Sequence, residues 1–155
     1  MSDKRSFGDF QTPLELAEDC CKKVRNLGIH PRTVIEPTCG LGSFLQASAN
    51  VFPEAEKLIG CEVNSKYVAC AKEVLADEPR ASVKEGDFFS QDWVETFRKL
   101  SEPILVIGNP PWVTNSELGS LGSKNLPQKN NFLNMNGFDA ITGKANFDIS
   151  EWMLL

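Results

Sequence analysis

Asn109-Pro110-Pro111-Trp112 places a carboxamide, a stiff turn and a large aromatic plate side by side. Proline lacks an N–H and has a fixed φ, so two in succession rigidify the turn and leave the Pro110 carbonyl able to accept from a ligand. Asn109 contributes a side-chain acceptor and two donors, and Trp112 a flat face for stacking. The combination suits a planar ring with an exocyclic amino group. Two acceptors hold its two N–H hydrogens while the indole covers its π-face.

Such a clamp must be held by regular structure. Ile104-Leu105-Val106-Ile107 is a run of β-favouring apolar residues bounded by Glu102-Pro103 and Gly108-Asn109-Pro110. It is too short for a helix and predicts a strand buried on both faces. The clamp then lies at a strand's carboxyl end, where open α/β sheets bind ligands.

Three earlier segments repeat that arrangement. Thr33–Glu36 reads as a strand, turning through Pro37-Thr38-Cys39-Gly40-Leu41-Gly42 into a helix over 43–51; Gly40 and Gly42 permit a tight turn and close backbone approach. Leu58–Glu62 reads as a second strand, ending in a carboxylate 20 residues after Gly42, the spacing at which an acidic residue accepts from ribose hydroxyls. Asn64 or Ser65 then caps a helix whose Tyr67, Val68, Ala71, Val74 and Leu75 face inward. Ala81–Glu85 is the third strand, followed by Gly86-Asp87-Phe88-Phe89, whose aromatics read by themselves as core. Ser90 is the expected cap of a helix through Leu100, with Trp93, Val94, Phe97 and Leu100 inward. Ahead of all this, Thr12 is the expected N-cap of a helix with Pro13 in its first position and an apolar stripe of Leu14, Ala17, Cys20, Cys21, Val24 and Leu27. Strand and helix alternating at this spacing predict a parallel sheet with right-handed crossovers and all four clusters at one rim.

Asn-Pro-Pro-Trp after a hydrophobic strand resembles the catalytic motif of amino-directed methyltransferases, above all the adenine-N6 DNA methyltransferases of restriction-modification systems. Glu36-Pro37-Thr38-Cys39-Gly40-Leu41-Gly42 is similar to the first motif of S-adenosylmethionine enzymes, and Gln11-Thr12-Pro13 to an N-terminal cofactor motif of one class. The resemblance implies a catalytic set of Asn109, Pro110, Pro111 and Trp112. It also implies a cofactor-binding set of Gln11, Thr12, Glu36, Pro37, Thr38, Cys39, Gly40, Gly42, Glu62, Val63, Asp87, Phe88 and Asn109. In that set Thr12 lies beside the methionine part, Glu36 faces its ammonium, and Asp87 and Phe88 take the adenine. Cys39 is expected as a small buried residue and not a nucleophile.

The fold implied is α/β, the Rossmann-like, doubly wound, mostly parallel sheet of class I methyltransferases. Its sheet has seven strands, whereas four are legible here, so residues 1–155 are expected to form an N-terminal part of a catalytic domain without its target-recognition domain. The implied reaction is methyl transfer from S-adenosylmethionine to the amino group of adenine in DNA, impaired in a truncated chain. Similar motifs serve enzymes acting on protein glutamine or rRNA guanine. No cysteine follows a proline, which sets aside cytosine ring-carbon methylation. A non-catalytic, cofactor-binding or self-associating remnant is the other class, dimerising through an exposed flank of the fourth strand.

Composition narrows the field. With 155 residues, 41% hydrophobic and 24% charged, the chain is one domain's worth of ordinary globular sequence. No apolar run approaches the roughly 20 residues of a membrane span, and Met1–Arg5 leads into no signal core, so a cytoplasmic protein without membrane contact is expected. Cysteines at 20, 21, 39, 61 and 70 and the lone His30 suggest neither a disulfide framework nor a zinc site. A net charge of -5 counts against gripping nucleic acid unaided, so DNA is an expected partner only with a recognition domain that supplies basic surface. Residues 113–145, rich in glycine and asparagine, are expected as a mobile loop. Residues 146–155 are expected to begin a helix resembling the next methyltransferase motif.

Overall fold

The computed structural model describes residues 11–111. Gln11–Asn109 form one compact unit; Pro110 and Pro111, both half-buried, belong to a second. In chain order the elements are α1 (Leu14–Asn26), β1 (Thr33–Glu36), α2 (Ser43–Val51), β2 (Lys57–Glu62), α3 (Ser65–Val74), β3 (Ala81–Glu85), a 3-10 turn (Phe88–Ser90), α4 (Trp93–Arg98) and β4 (Ile104–Val106). The four strands pair in the order β3-β2-β1-β4, every pair parallel. Parallel pairing brings all four carboxyl ends to one edge. From β1 the chain moves outward through β2 and β3 and then returns to β4 on the other side, so the order reverses between β1 and β4. Crevices form at such switch points.

Burial explains which strands are central. All four residues of β1 are buried, because β2 and β4 flank it and α2 lies across it. Val34, Ile35, Leu45, Phe52 and Leu58 are fully enclosed, and removing such side chains from water is the main stabilising contribution. Against this layer α1 packs on α2 through Ala17 and Cys21, whose thiol lies 3.6 Å from the Ser48 hydroxyl. Arg80, just before β3, ties the far end of α2 down. Its guanidinium donates to the carbonyls of Ala49 (3.1 Å), Phe52 (3.1 Å), Pro53 (3.3 Å) and Ala55 (3.1 Å), and to Glu78. A cation at a helix carboxyl end satisfies acceptors that the helix leaves without partners.

Several sequence expectations shift. Helix α1 starts at Leu14, and Pro13, at φ −59° and ψ 142°, is its non-helical boundary residue. Thr12 therefore lies one residue too early to be the cap. Leu27, past the helix end, is 79% exposed and falls outside the apolar stripe. Asn64 caps α3 as expected, accepting from the Lys66 N–H at 3.0 Å, while Val74 is exposed. Asp92 and not Ser90 caps α4, because Gln91 is extended and interrupts the helical path; Asp92 accepts from the Glu95 N–H at 2.9 Å. Val94 on α4 is 62% exposed and Phe97 is exposed too. β4 is not buried on both faces: among the described residues it is a flanking strand, and Val106 is 52% exposed. Trp112, the loop expected at 113–145 and the helix expected at 146–155 lie outside the described residues. Among the described residues, no helix is long and apolar enough to cross a membrane.

Candidate active site

The centre of the rim is built from backbone N–H groups held by carboxylates. After β1 the chain turns through Gly40 (φ +50°) and Gly42 (φ +85°), both left-handed positions that favour glycine. The Cys39 N–H donates to the Cys61 carbonyl at 2.8 Å, and the Gly42 N–H donates to the Cys39 carbonyl at 2.7 Å. Glu62, at the end of β2, grips the same turn: one oxygen accepts from the Gly40 N–H at 2.8 Å and the other from the Asn64 N–H at 2.8 Å. From the other side the Gln11 carboxamide oxygen accepts from the Leu41 N–H at 3.1 Å. A side chain on Gly40 would collide with that carboxamide. Gln11, the glycine turn and Glu62 thus meet directly, although they are far apart in sequence.

Glu36 stands differently. It is 3% exposed, and one carboxylate oxygen accepts from the Leu45 N–H in the first turn of α2 at 3.1 Å. Burial pushes its carboxyl well above the ordinary range, against the lowering effect of the Leu45 and Phe44 N–H donors and with some help from the Glu62 charge. Gly108, between β4 and Asn109, borders it. A Cβ on Gly108 would stand 3.4 Å from the Glu36 Cγ and 4.0 Å from its Oε1, so the chain leaving β4 passes close along that flank of the carboxylate.

β4 is continued by the Ile107 N–H, which donates to the Ile35 carbonyl at 2.9 Å. Half-buried Asn109 follows two residues later, after β4 and so across the switch point from the glycine turn that follows β1. On the opposite flank, the Gly86 N–H donates to the Glu62 carbonyl at 2.9 Å and leads to Asp87 and Phe88. Asp87 serves the 3-10 turn, accepting from the Phe89 N–H at 3.2 Å and the Ser90 hydroxyl at 2.9 Å. Phe88 is half-buried, with its ring against those of Phe89 and Trp93. Pro37 and Thr38 are half-buried in the first turn, Thr12 is half-buried next to Gln11, and Val63 is exposed just beyond Glu62.

All five cysteines carry free thiols. Cys39 is buried, and desolvation, reinforced by the charges of Glu36 and Glu62, pushes its thiol far up. The thiolate that nucleophilic catalysis requires is thereby suppressed. Gly60 explains why a small residue is needed beneath it. A Cβ there would meet Leu45 Cδ1 at 2.8 Å and Cys39 Sγ at 2.9 Å. Neither the Gly60 contact nor the Arg80 clamp was signalled by spacing, since their partners lie about 15 to 30 residues away in the chain.

This strand order, with a glycine turn after the first strand and an acid closing the second, is the Rossmann-like α/β fold of class I methyltransferases. An RNA methyltransferase candidate from Pyrococcus horikoshii shares it with a TM-score of 0.55 at 23% identity, over 72% of this chain and 52% of that one. No protein-family model matches the chain. It is 52% identical over 154 residues to the type II methyltransferase M.NspV of a Nostoc species, covering 98% of this chain and 32% of that protein. It is 28% identical over 107 residues to the type II methyltransferase M.CvrRI of Paramecium bursaria Chlorella virus XZ-6E, covering 69% of this chain and 25% of that protein. Over the span it covers, the chain is thus similar to type II methyltransferases. It spans about a third of the length of the first of these relatives and a quarter of the second.

Proposed function

We propose that this chain carries the S-adenosylmethionine pocket and the transfer motif of an adenine-N6 DNA methyltransferase of restriction-modification type. The observation that carries the reading is the order of groups along one rim: Asp87 and Phe88 after β3, Glu62 after β2, Glu36 and the glycine turn after β1, Asn109 after β4. With strands about 4.8 Å apart the rim spans roughly 14 Å. An adenine, a ribose, an amino-acid end and a methyl acceptor can be laid along it in that order.

The residues present fit the cofactor. Each Glu62 oxygen accepts one N–H and retains a lone pair for a ribose hydroxyl. Among the described residues no cation pairs with buried Glu36, and an ammonium bound beside Gly108 would supply that counter-charge. When bound, S-adenosylmethionine supplies an electrophilic methyl group on a sulfonium. The acceptor amino nitrogen is a poor nucleophile because its lone pair is delocalised into the ring. The Asn109 carboxamide and the Pro110 carbonyl accept its two hydrogens, draw it toward tetrahedral geometry and align it for attack. Trp112 stacks on a base that has left the duplex.

In a chain of the relatives' length, Asn109→Ala should lower methyl transfer to duplex DNA by about a hundredfold or more, a loss far larger than any accompanying loss of cofactor affinity. Retained turnover overturns the role. A net charge of -5 favours a second reading, a cofactor-binding module whose DNA grip comes from basic surface elsewhere. Cofactor binding by calorimetry without transfer to any DNA would select it.

A further inference from the structure

We infer that Trp93 is a positioning residue for the adenine end of the cofactor, acting through Phe88. The inference rests on the S-adenosylmethionine reading above and adds to it a residue that no motif includes. A three-residue 3-10 turn has poor hydrogen-bond geometry and little stability of its own, so the direction of the Phe88 ring must be set from outside. Two groups set it. Asp87 closes the turn from its amino side. From its carboxyl side the Trp93 indole N–H donates to the Phe88 carbonyl at 2.9 Å, and its ring lies 5.3 Å from the Phe88 ring, tilted by 38°.

Trp93 is itself held. Phe97 stacks on it at 6.0 Å, and Lys84 Nζ lies 5.7 Å from its ring centroid while donating to Gln91 at 2.6 Å. One indole therefore joins β3, the 3-10 turn and α4, and fixes both backbone and ring of the residue that would face an adenine. A residue that served packing alone could do so with any ring. The N–H aimed at the Phe88 carbonyl makes the indole specific.

The test is binding of S-adenosylhomocysteine to the full chain, by calorimetry and by fluorine NMR of protein labelled with 5-fluorotryptophan. Trp93→Phe keeps a ring and loses the donor. It should bind about fivefold more weakly, the effect of one hydrogen bond, with a thermal midpoint lowered by only a few degrees. The resonance absent from Trp93→Phe should shift in the parent protein with S-adenosylhomocysteine and with adenosine, and not with methionine. If Trp93→Phe does not fold, Lys84→Met assigns the resonance by removing the cation over the ring, and the adenosine-specific shift still decides. Equal affinity of parent and Trp93→Phe, or a resonance indifferent to adenosine in a protein that binds S-adenosylhomocysteine, overturns the role of Trp93 and spares the cofactor reading. A parent protein that binds no S-adenosylhomocysteine overturns both.

Discussion

The two halves of the rim are held by different means. Around β1 and β2, carboxylates hold backbone N–H groups: Glu62 on Gly40 and Asn64, Glu36 on Leu45. Beneath them lies a buried layer in which Leu45 and Ile35 are fully enclosed. Around β3 and α4, the turn is held by aromatic rings and an indole N–H, and Val94 and Phe97 are exposed. A carboxyl oxygen at bonding distance from a backbone N–H admits one geometry, whereas half-exposed rings in contact admit several. The first half can therefore hold its shape without a ligand. The second depends on a few side chains, Trp93 chief among them.

The difference can be broken most sharply by truncating one apolar residue in each half. Leu45→Ala empties space under the glycine turn at a fully buried site and should cost about 2–5 kcal/mol. Val94→Ala, at an exposed position of α4, should stay within about 0.5 kcal/mol. Urea midpoints at constant m-value measure both. Equal losses would mean that α4 packs as tightly as α2 and that the contrast is false.

The same contrast decided what could be read before the structure. The glycine turn and the acid 20 residues beyond it were legible because a left-handed turn and a strand-end carboxylate each demand particular residue types at a fixed spacing. So was the parallel sheet, because β1 and β2 are short apolar runs between turn signals. The α4 corner misled. Ser90 looks like a cap to a local reading, yet Asp87 takes its hydroxyl for the 3-10 turn and Asp92 caps the helix instead. The apolar spacing of Trp93, Val94 and Phe97 suggests an inward face, but a helix this short on the flank of the sheet leaves Val94 exposed and Phe97 partly so, with its ring against Trp93. Arg80 was invisible for another reason. A guanidinium that caps a helix through main-chain carbonyls needs no particular side chains there, so the partners leave no trace in the sequence.

Within the packed half, Glu36 offers a pH-dependent effect of intermediate size. Its carboxyl ordinarily titrates near 4.5 and is held well above that in the fold, chiefly by burial. Folding thus favours the protonated form. That stabilisation is present in full below pH 4.5 and is lost as pH rises through the folded value. Glu36→Gln mimics the protonated acid and keeps an acceptor for the Leu45 N–H. The variant should match the parent at or below pH 4 and gain on it by up to about 1.4 kcal/mol per pH unit until the folded carboxyl has ionised. If an ammonium group is its natural counter-charge, saturating S-adenosylhomocysteine should narrow that gap for the parent. A gap that is constant with pH would mean that Glu36 is hydrated in solution.

Glu54 gives the smallest effect, and its sign is opposite. Burial alone would raise its carboxyl, but its own backbone N–H, His30 and Arg25 outweigh burial and hold it at about 2. The His30 and Arg25 contacts are each 2.9 Å long. Folding here favours the ionised form, so the stabilisation is present above pH 4.5 and lost as pH falls through about 2. A third of the side chain remains in contact with water, and solvent screening reduces the value of such pairs to about 1 kcal/mol or less. Glu54→Gln should therefore lower the urea midpoint slightly at pH 7 and not at pH 2, and 1 M salt should remove most of the difference by screening. Were the loss to survive 1 M salt undiminished, the Arg25 bond to the Val51 carbonyl, 2.7 Å long at the end of α2, would be the interaction disturbed. The carboxylate would then act by holding Arg25 against the helix and not by its charge.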